Sequence, residues 1–168
     1  MWYLVFMSKL LGRHSLSEAN NRHNYGTPAF GHADAPLMAE GRLIAQNMGL
    51  EFEAVHGIIP SATPAAVSKM LRAQETAQEA GFVDLREYAV LNEVDTRLPH
   101  PELKDAIANR RHTSVALKAA ELILEDPPEE PVWITHGLVI ASLCEVLGVA
   151  NRFEHFVPRF CEIRELPI

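Results

Sequence analysis

Short apolar runs alternate along this chain with stretches whose apolar residues recur every three to four positions. That alternation limits the folds open to it. A continuous run such as Pro131-Val132-Trp133-Ile134-Thr135 is too short for a helix and has no polar face, so it suits a buried strand. The spacing of Ile44, Met48, Phe52 and Val55 instead puts four apolar side chains on one helical face. Val115, Ala119, Leu122 and Ile123 form a second such face. Val139, Leu143, Val146 and Leu147 form a third, closed by Gly148. Strands and helices in alternation predict an α/β fold, three-layer α/β/α, with a mainly parallel sheet and helices on both faces.

The remaining elements follow from local signals. Lys9-Leu10-Leu11-Gly12 reads as the end of a buried first strand, and Ala65-Ala66-Val67 and Tyr88-Ala89-Val90-Leu91 as further short strands. A helix is predicted from Lys69 to about Ala80, with Ser68 as N-cap and Gly81 as its stop. The polar stretch from Ser15 to Ala35 reads as a long surface loop. Phe160 to Leu166 alternates with period two, the pattern of a half-exposed strand at a sheet edge.

A chain of 168 residues can bury roughly 70% of its unfolded surface, enough for one core without disulfides or metals. A single domain over residues 7–168 is therefore expected. Met7-Ser8-Lys9 looks like a more ordinary start than Met1, so residues 1–6 are expected to be an extension or the product of a misplaced start codon. The balance of 15 Lys and Arg against 22 Asp and Glu gives a net charge of −7. That argues against nucleic acid or an anionic membrane as partner, but not against a small anion held by a few local cations. No apolar run approaches the length of a membrane-spanning helix. Cys144 and Cys161 are the only cysteines, which fits a reducing cytoplasm and two buried thiols.

Two strands end alike. Leu10-Leu11-Gly12 runs into Arg13-His14, and Val132-Trp133-Ile134-Thr135 runs into His136-Gly137. Ligands of open parallel sheets bind at the carboxyl ends of strands, so the two histidines are predicted to face one site. An imidazole nitrogen can attack phosphorus when the other ring nitrogen is held by a hydrogen bond. Arginine suits the charge on a transferring phosphoryl group because its planar fork meets two oxygens. Arg13 lies beside His14, and Arg72 opens the segment Arg72-Ala73-Gln74-Glu75-Thr76-Ala77. Glu93, just past Leu91, is placed to give a proton to a leaving alkoxide, and Glu87 stands nearby.

These residues resemble the motifs of the histidine phosphatase superfamily, the phosphoglycerate-mutase-like group. Its opening strand-Arg-His-Gly-Glu-Ser-x-x-Asn is similar to Leu11-Gly12-Arg13-His14-Ser15-Leu16-Ser17-Glu18-Ala19-Asn20. Its Asp-x-Pro-Leu-Thr-x-x-Gly is similar to the stretch from Asp34 to Gly41, and its Ser-Ser-Pro-Leu-x-Arg-Ala-x-x-Thr-Ala to that from Val67 to Ala77. Leu91-Asn92-Glu93 and Thr135-His136-Gly137 complete the order. Ser15, Leu16 and Lys69 stand where the group carries Gly, Glu and Pro. The resemblance implies His14 as nucleophile, Arg13, Arg72 and His136 as phosphoryl ligands, and Glu93 as proton donor. It places Asn20, Ser17 and Gly137 on the substrate side, and implies neither metal nor organic cofactor.

Each residue also has a plainer reading. Apart from the ordered motifs, His14 is a capping or surface histidine, His136 a satisfied core histidine, and Glu93 a surface carboxylate. Asn20 is also a common turn residue. No other histidine shows a zinc-ligand spacing. Arg110-Arg111-His112 reads as a helix-terminal charge group or as a rim for a second anionic group. The expected activity is a phosphomonoester phosphatase acting on a small phosphorylated molecule or a phosphoprotein. A mutase and a catalytically weak phospho-ligand binder are the alternatives. Glu93 and His136 stand 43 positions apart, leaving little room for the long insertion that mutases of the group carry there.

Overall fold

In the computed structural model, which describes residues 8–21, 23, 32, 34–93 and 100–168, five strands form one sheet. They are β1 (Ser8–Arg13), β2 (Ala65–Ser68), β3 (Leu85–Tyr88), β4 (Val132–Thr135) and β5 (Ile163–Pro167), in the order β3-β2-β4-β1-β5. The first four run parallel, and β5 closes the β1 edge antiparallel. Five α-helices connect them: α1 (Ala39–His56), α2 (Leu71–Glu79), α3 (His100–Ala108), α4 (Ser114–Glu125) and α5 (Gly137–Val146).

Side-chain alternation along the strands divides the core into two layers. Val132 and Ile134 of β4 face a cluster with Ala45, Met48 and Phe52 of α1 and Ala73 and Ala77 of α2. Trp133, between them, faces the opposite cluster with Ala120 and Ile123 of α4 and Val139, Ile140 and Leu143 of α5. The expected three-layer α/β arrangement is therefore present. The edge strand expected near the C-terminus is β5. Among the described residues no helix is long and apolar enough to cross a membrane.

Several expectations require correction. The buried stripe of α1 is Gly41, Ala45, Met48, Gly49 and Phe52, while Val55 is 70% exposed. Small residues let α1 lie close to its neighbours, and an apolar-spacing rule passes over them. In α4 the buried face is Ala116, Ala120 and Ile123; of the predicted stripe Ile123 is buried, while Val115 and Leu122 are exposed. α5 is buried all round from Gly137 to Cys144. The strand predicted at Tyr88–Leu91 is instead β3 followed by a 3-10 turn over Ala89–Leu91. Its edge position leaves Arg86 and Glu87 exposed, which disguises it in the sequence. Ser68 ends β2, and Met70 holds the N-cap position of α2. The first part of the supposed surface loop is interior: Ser15, Ser17 and Ala19 are fully buried, and Glu18–Asn20 form a 3-10 turn. α3 had no predicted counterpart. Residues 1–6, and with them the expected extension, lie outside the described residues.

Candidate active site

The register of β1 on β4 pairs Arg13 with Thr135, so the residues that follow leave the sheet side by side. His14 N–H donates to the Thr135 carbonyl at 2.8 Å, and the rings of His14 and His136 lie 4.9 Å apart at 60°. His136 is the N-cap of α5, whose first N–H groups are unpaired within the helix and favour negative charge. The two histidines thus meet at the carboxyl ends of adjacent parallel strands, as the strand endings predict.

His14 is buried, and its Nδ1 lies 2.7 Å from the carbonyl oxygen of Ser15. A carbonyl only accepts, so Nδ1 carries the proton and Nε2 keeps its lone pair. Arg72 Nε donates toward that lone pair at 3.3 Å. Burial, together with the charges of Arg72 and Arg13, holds the His14 pKa well below the usual histidine value. The ring is neutral at physiological pH and presents a nitrogen lone pair.

Two cations flank it. Arg72, 3% exposed in the first turn of α2, also donates from Nη1 to the His32 carbonyl at 3.0 Å. Arg13 donates from Nη1 to the Pro158 carbonyl at 2.6 Å and lies over the Phe160 ring at 4.0 Å. Burial lowers the Arg13 pKa to about 10, so it remains cationic at neutral pH. The Nε of Arg13 is buried and makes no hydrogen bond among the described residues. A Cβ on Gly137 would lie 3.1 Å from that Nε, so Gly137 sits directly against Arg13.

Glu93 follows the 3-10 turn after β3, and its charge acts on both Arg13 and Arg72. Three side-chain bonds fix the chain just before it. Thr135 Oγ1 donates to the Leu91 carbonyl at 2.6 Å, and Asn92 Oδ1 accepts from Ser68 Oγ and from Lys69 N–H, each at 2.9 Å. Glu87 is exposed on β3, and its charge is not among those acting on either arginine.

His136 is fully buried, with Nε2 2.8 Å from Ser68 Oγ. Burial and the neighbouring His14, Arg72 and Arg13 lower its pKa well below the usual value. Ser15, which stands where the motif it resembles carries glycine, has no left-handed φ. Its hydroxyl donates to the Gly41 carbonyl at 2.6 Å, and its N–H donates to Thr76 Oγ1 at 2.9 Å. Ser17 Oγ donates to Asn20 Oδ1 at 2.8 Å, so these two candidates are bonded to each other. The Arg110-Arg111-His112 cluster is engaged within the protein. Arg110 donates to the Glu154 carbonyl, Arg111 pairs with Asp105, and His112 contacts Ser142.

The structure therefore brings His14, Arg13, Arg72, His136 and Gly137 together, with Glu93 within Coulombic reach. Phe160, Ser68, Asn92 and Thr76 had not been predicted to take part. The alternation that starts at Phe160 marks that residue only as part of a strand, and Ser68 reads in the sequence as an ordinary cap. Both cysteines are buried, and burial pushes the Cys161 thiol up to about 11. Among the described residues no group of three or more His, Cys, Asp and Glu gathers as a metal site.

Two histidines buried as neutral rings give the fold an acid limit. Their pKa values are lower folded than unfolded, so the unfolded chain binds more protons below about 6.5. Stability is then full above that pH and is lost as pH falls toward the folded values. Melting temperature is expected to fall progressively from pH 7 to pH 5, and less steeply in His14→Gln. A flat profile in the wild type would contradict the buried neutral pair.

The mainly parallel sheet with its antiparallel edge strand and flanking helices is shared with solved structures of the histidine phosphatase superfamily in its phosphoglycerate-mutase-like form. Among similar solved structures is a phosphoglycerate mutase from Thermus thermophilus, 25% identical, with a TM-score of 0.65, covering 95% of this chain and 92% of that one. The protein TTHB049 of the same organism is 25% identical, with a TM-score of 0.64 over 95% and 93% of the two chains. A phosphoserine phosphatase from Entamoeba histolytica, solved with 3-phosphoglyceric acid, shares the fold at 17% identity. Its TM-score is 0.62, over 94% of this chain and 89% of that one. No protein-family model and no curated protein matches the sequence.

Proposed function

We propose that this chain is a phosphomonoester phosphatase that works through a phosphohistidine on His14. The observation that carries the reading is the Nδ1–H to Ser15 carbonyl bond, which leaves the Nε2 lone pair exposed to two arginines. That lone pair attacks phosphorus in line. The N–P bond forms as the P–O ester bond breaks, and Glu93, which takes up a proton when the negative phosphate binds beside it, gives that proton to the leaving oxygen. Arg13, Arg72 and the α5 N-terminus stabilise the equatorial oxygens, with His136 beside them. Glu93, now a carboxylate, takes a proton from water as that water attacks phosphorus. The N–P bond breaks, and inorganic phosphate leaves with His14 neutral again.

The similar structures include a mutase and a phosphatase, which supports phosphoryl transfer. Hydrolysis is the preferred outcome because only 43 positions separate Glu93 from His136. So short a connection has little room for the long insertion that mutases of the group carry there. The substrate is a phosphomonoester, carried by a small molecule or by a protein. Incubation with phenyl phosphate is expected to release inorganic phosphate, with inhibition by vanadate, which mimics five-coordinate phosphorus. Phosphate binding without release from any of a broad panel of phosphomonoesters would overturn the proposal in favour of a binding protein. Isomerisation of a phosphorylated sugar acid without phosphate release would overturn it in favour of a mutase.

A further inference from the structure

The hydrogen bonds around His136 fix more than its position. Asn92 Oδ1 faces two groups at 2.9 Å, the backbone N–H of Lys69 and the hydroxyl of Ser68. The Lys69 amide can only donate, so the Asn92 atom facing it is the carbonyl oxygen. That oxygen can only accept, so the Ser68 proton points toward Asn92. Ser68 Oγ also accepts from Met70 N–H at 3.1 Å. Its single proton is spent, and what remains toward His136 Nε2, at 2.8 Å, is oxygen lone pair. Nε2 must therefore carry a hydrogen.

We propose that Asn92 is a positioning residue that, through Ser68, holds His136 as the Nε2–H tautomer. The inference rests on the phosphatase reading for its catalytic meaning, though not for its geometry. The paired histidines are then wired oppositely: Ser15 places the proton of His14 on Nδ1, and Asn92 places that of His136 on Nε2. The ring nitrogen of His136 left for any other partner is Nδ1, which is buried and makes no hydrogen bond among the described residues. With Nε2–H held by Ser68, Nδ1 offers a lone pair, and the second proton that an arriving phosphoryl dianion draws onto the ring goes to Nδ1, where it donates to a phosphoryl oxygen. Asn92 touches neither histidine, and nothing in its residue type announces this part.

Removing the carboxamide reverses the wiring. In Asn92→Ala the Ser68 hydroxyl loses its acceptor, and the nearest one left is His136 Nε2. Donation to it drives the ring proton to Nδ1. Two-bond nitrogen–hydrogen correlation spectra, recorded above pH 7 on the full chain, distinguish the two forms directly. The wild type is expected to show His14 as Nδ1–H and His136 as Nε2–H. Asn92→Ala should convert His136 to mainly Nδ1–H while His14 stays unchanged. Asn92→Asp, which keeps an acceptor oxygen, should keep Nε2–H. Turnover of phenyl phosphate by Asn92→Ala should drop about 10-fold, the rate equivalent of one net hydrogen bond.

Nδ1–H in wild-type His136, or Nε2–H retained in folded Asn92→Ala, would overturn the proposal. Were Asn92→Ala not to fold, Ser68→Ala removes the acceptor itself and should abolish the Nε2–H preference. Retention there would overturn the proposal equally. The wild-type spectrum also separates this inference from the function it serves. Nε2–H with no phosphate release from any ester retires the phosphatase and leaves the relay standing. Phosphate release with Nδ1–H retires the relay alone.

Discussion

His14→Ala is expected to lower the turnover of phenyl phosphate by at least about three orders of magnitude, the usual consequence of deleting a nucleophile. The argument rests on the balance at Nε2. Burial and two guanidiniums keep the ring neutral, and the Ser15 carbonyl keeps its proton on the far nitrogen. Among the described residues, the other hydrogen-bond partner of the Arg72 guanidinium is the His32 carbonyl, an amide oxygen and a far weaker nucleophile. A factor of a thousand is about 4 kcal/mol of activation free energy, more than repositioned water could recover from the arginines alone. Wild-type protein quenched during turnover should also carry a phosphoryl group that is labile in acid and stable in alkali, as a phosphoramidate is, and His14→Ala should carry none. Melting and circular dichroism would confirm that the variant folds. Turnover within a few-fold of wild type, or a label persisting in the variant, would exclude His14 as the nucleophile.

How far the sequence carried this reading depended on whether a residue's role was set locally. β1, β2 and β4 were legible because each carries a short apolar run, Leu10-Leu11, Ala65-Ala66-Val67 and Val132-Trp133-Ile134. The meeting of His14 and His136 was legible for the same reason, since parallel strands in register bring their ends together. Arg164 shows where local reading stops. It lies in a strand whose alternation is plain, yet it is 1% exposed. Its guanidinium donates to Glu162, to the His155 carbonyl and toward Cys144, and lies over Phe153. Those partners come from three separate parts of the chain, as far away as Cys144, and the strand's own alternation points to none of them. The same holds for Asn92, whose bonds to Ser68 and Lys69 span more than twenty positions. Arg13 lies between these cases. Its place beside His14 was plain, but its bond to Pro158 and its contact with Phe160 come from across the chain. Val55 and Val115 failed differently: they have the spacing of a core residue but face solvent, because alanine and glycine occupy the contact faces.

The largest loss of stability is expected from Gly41→Ala. Gly41 lies in the first turn of α1, and an added Cβ would stand 2.0 Å from the carbonyl oxygen of Leu16 and 3.0 Å from its carbonyl carbon. Both are backbone atoms and cannot swing aside as the end of a side chain would. The helix and the segment after His14 would have to part, and they are held together by two bonds. Met38 N–H donates to the Leu16 carbonyl at 3.1 Å, and the Ser15 hydroxyl donates to the Gly41 carbonyl at 2.6 Å. Overpacking of this kind costs about 3 kcal/mol or more. For a chain of this length that is about 6–12 °C in melting temperature. Gly49→Ala is the informative companion. Its Cβ would stand 2.3 Å from the Ala80 carbonyl oxygen, between α1 and the end of α2, where none of the candidate site residues lies. Both variants should melt early. Only Gly41→Ala should also lose turnover per folded molecule, because Ser15 supplies the carbonyl that fixes the His14 tautomer. Equal activity losses in the two would mean that the α1 contact acts through global stability alone. Full activity in Gly41→Ala would mean that the His14 loop does not depend on α1 for its shape.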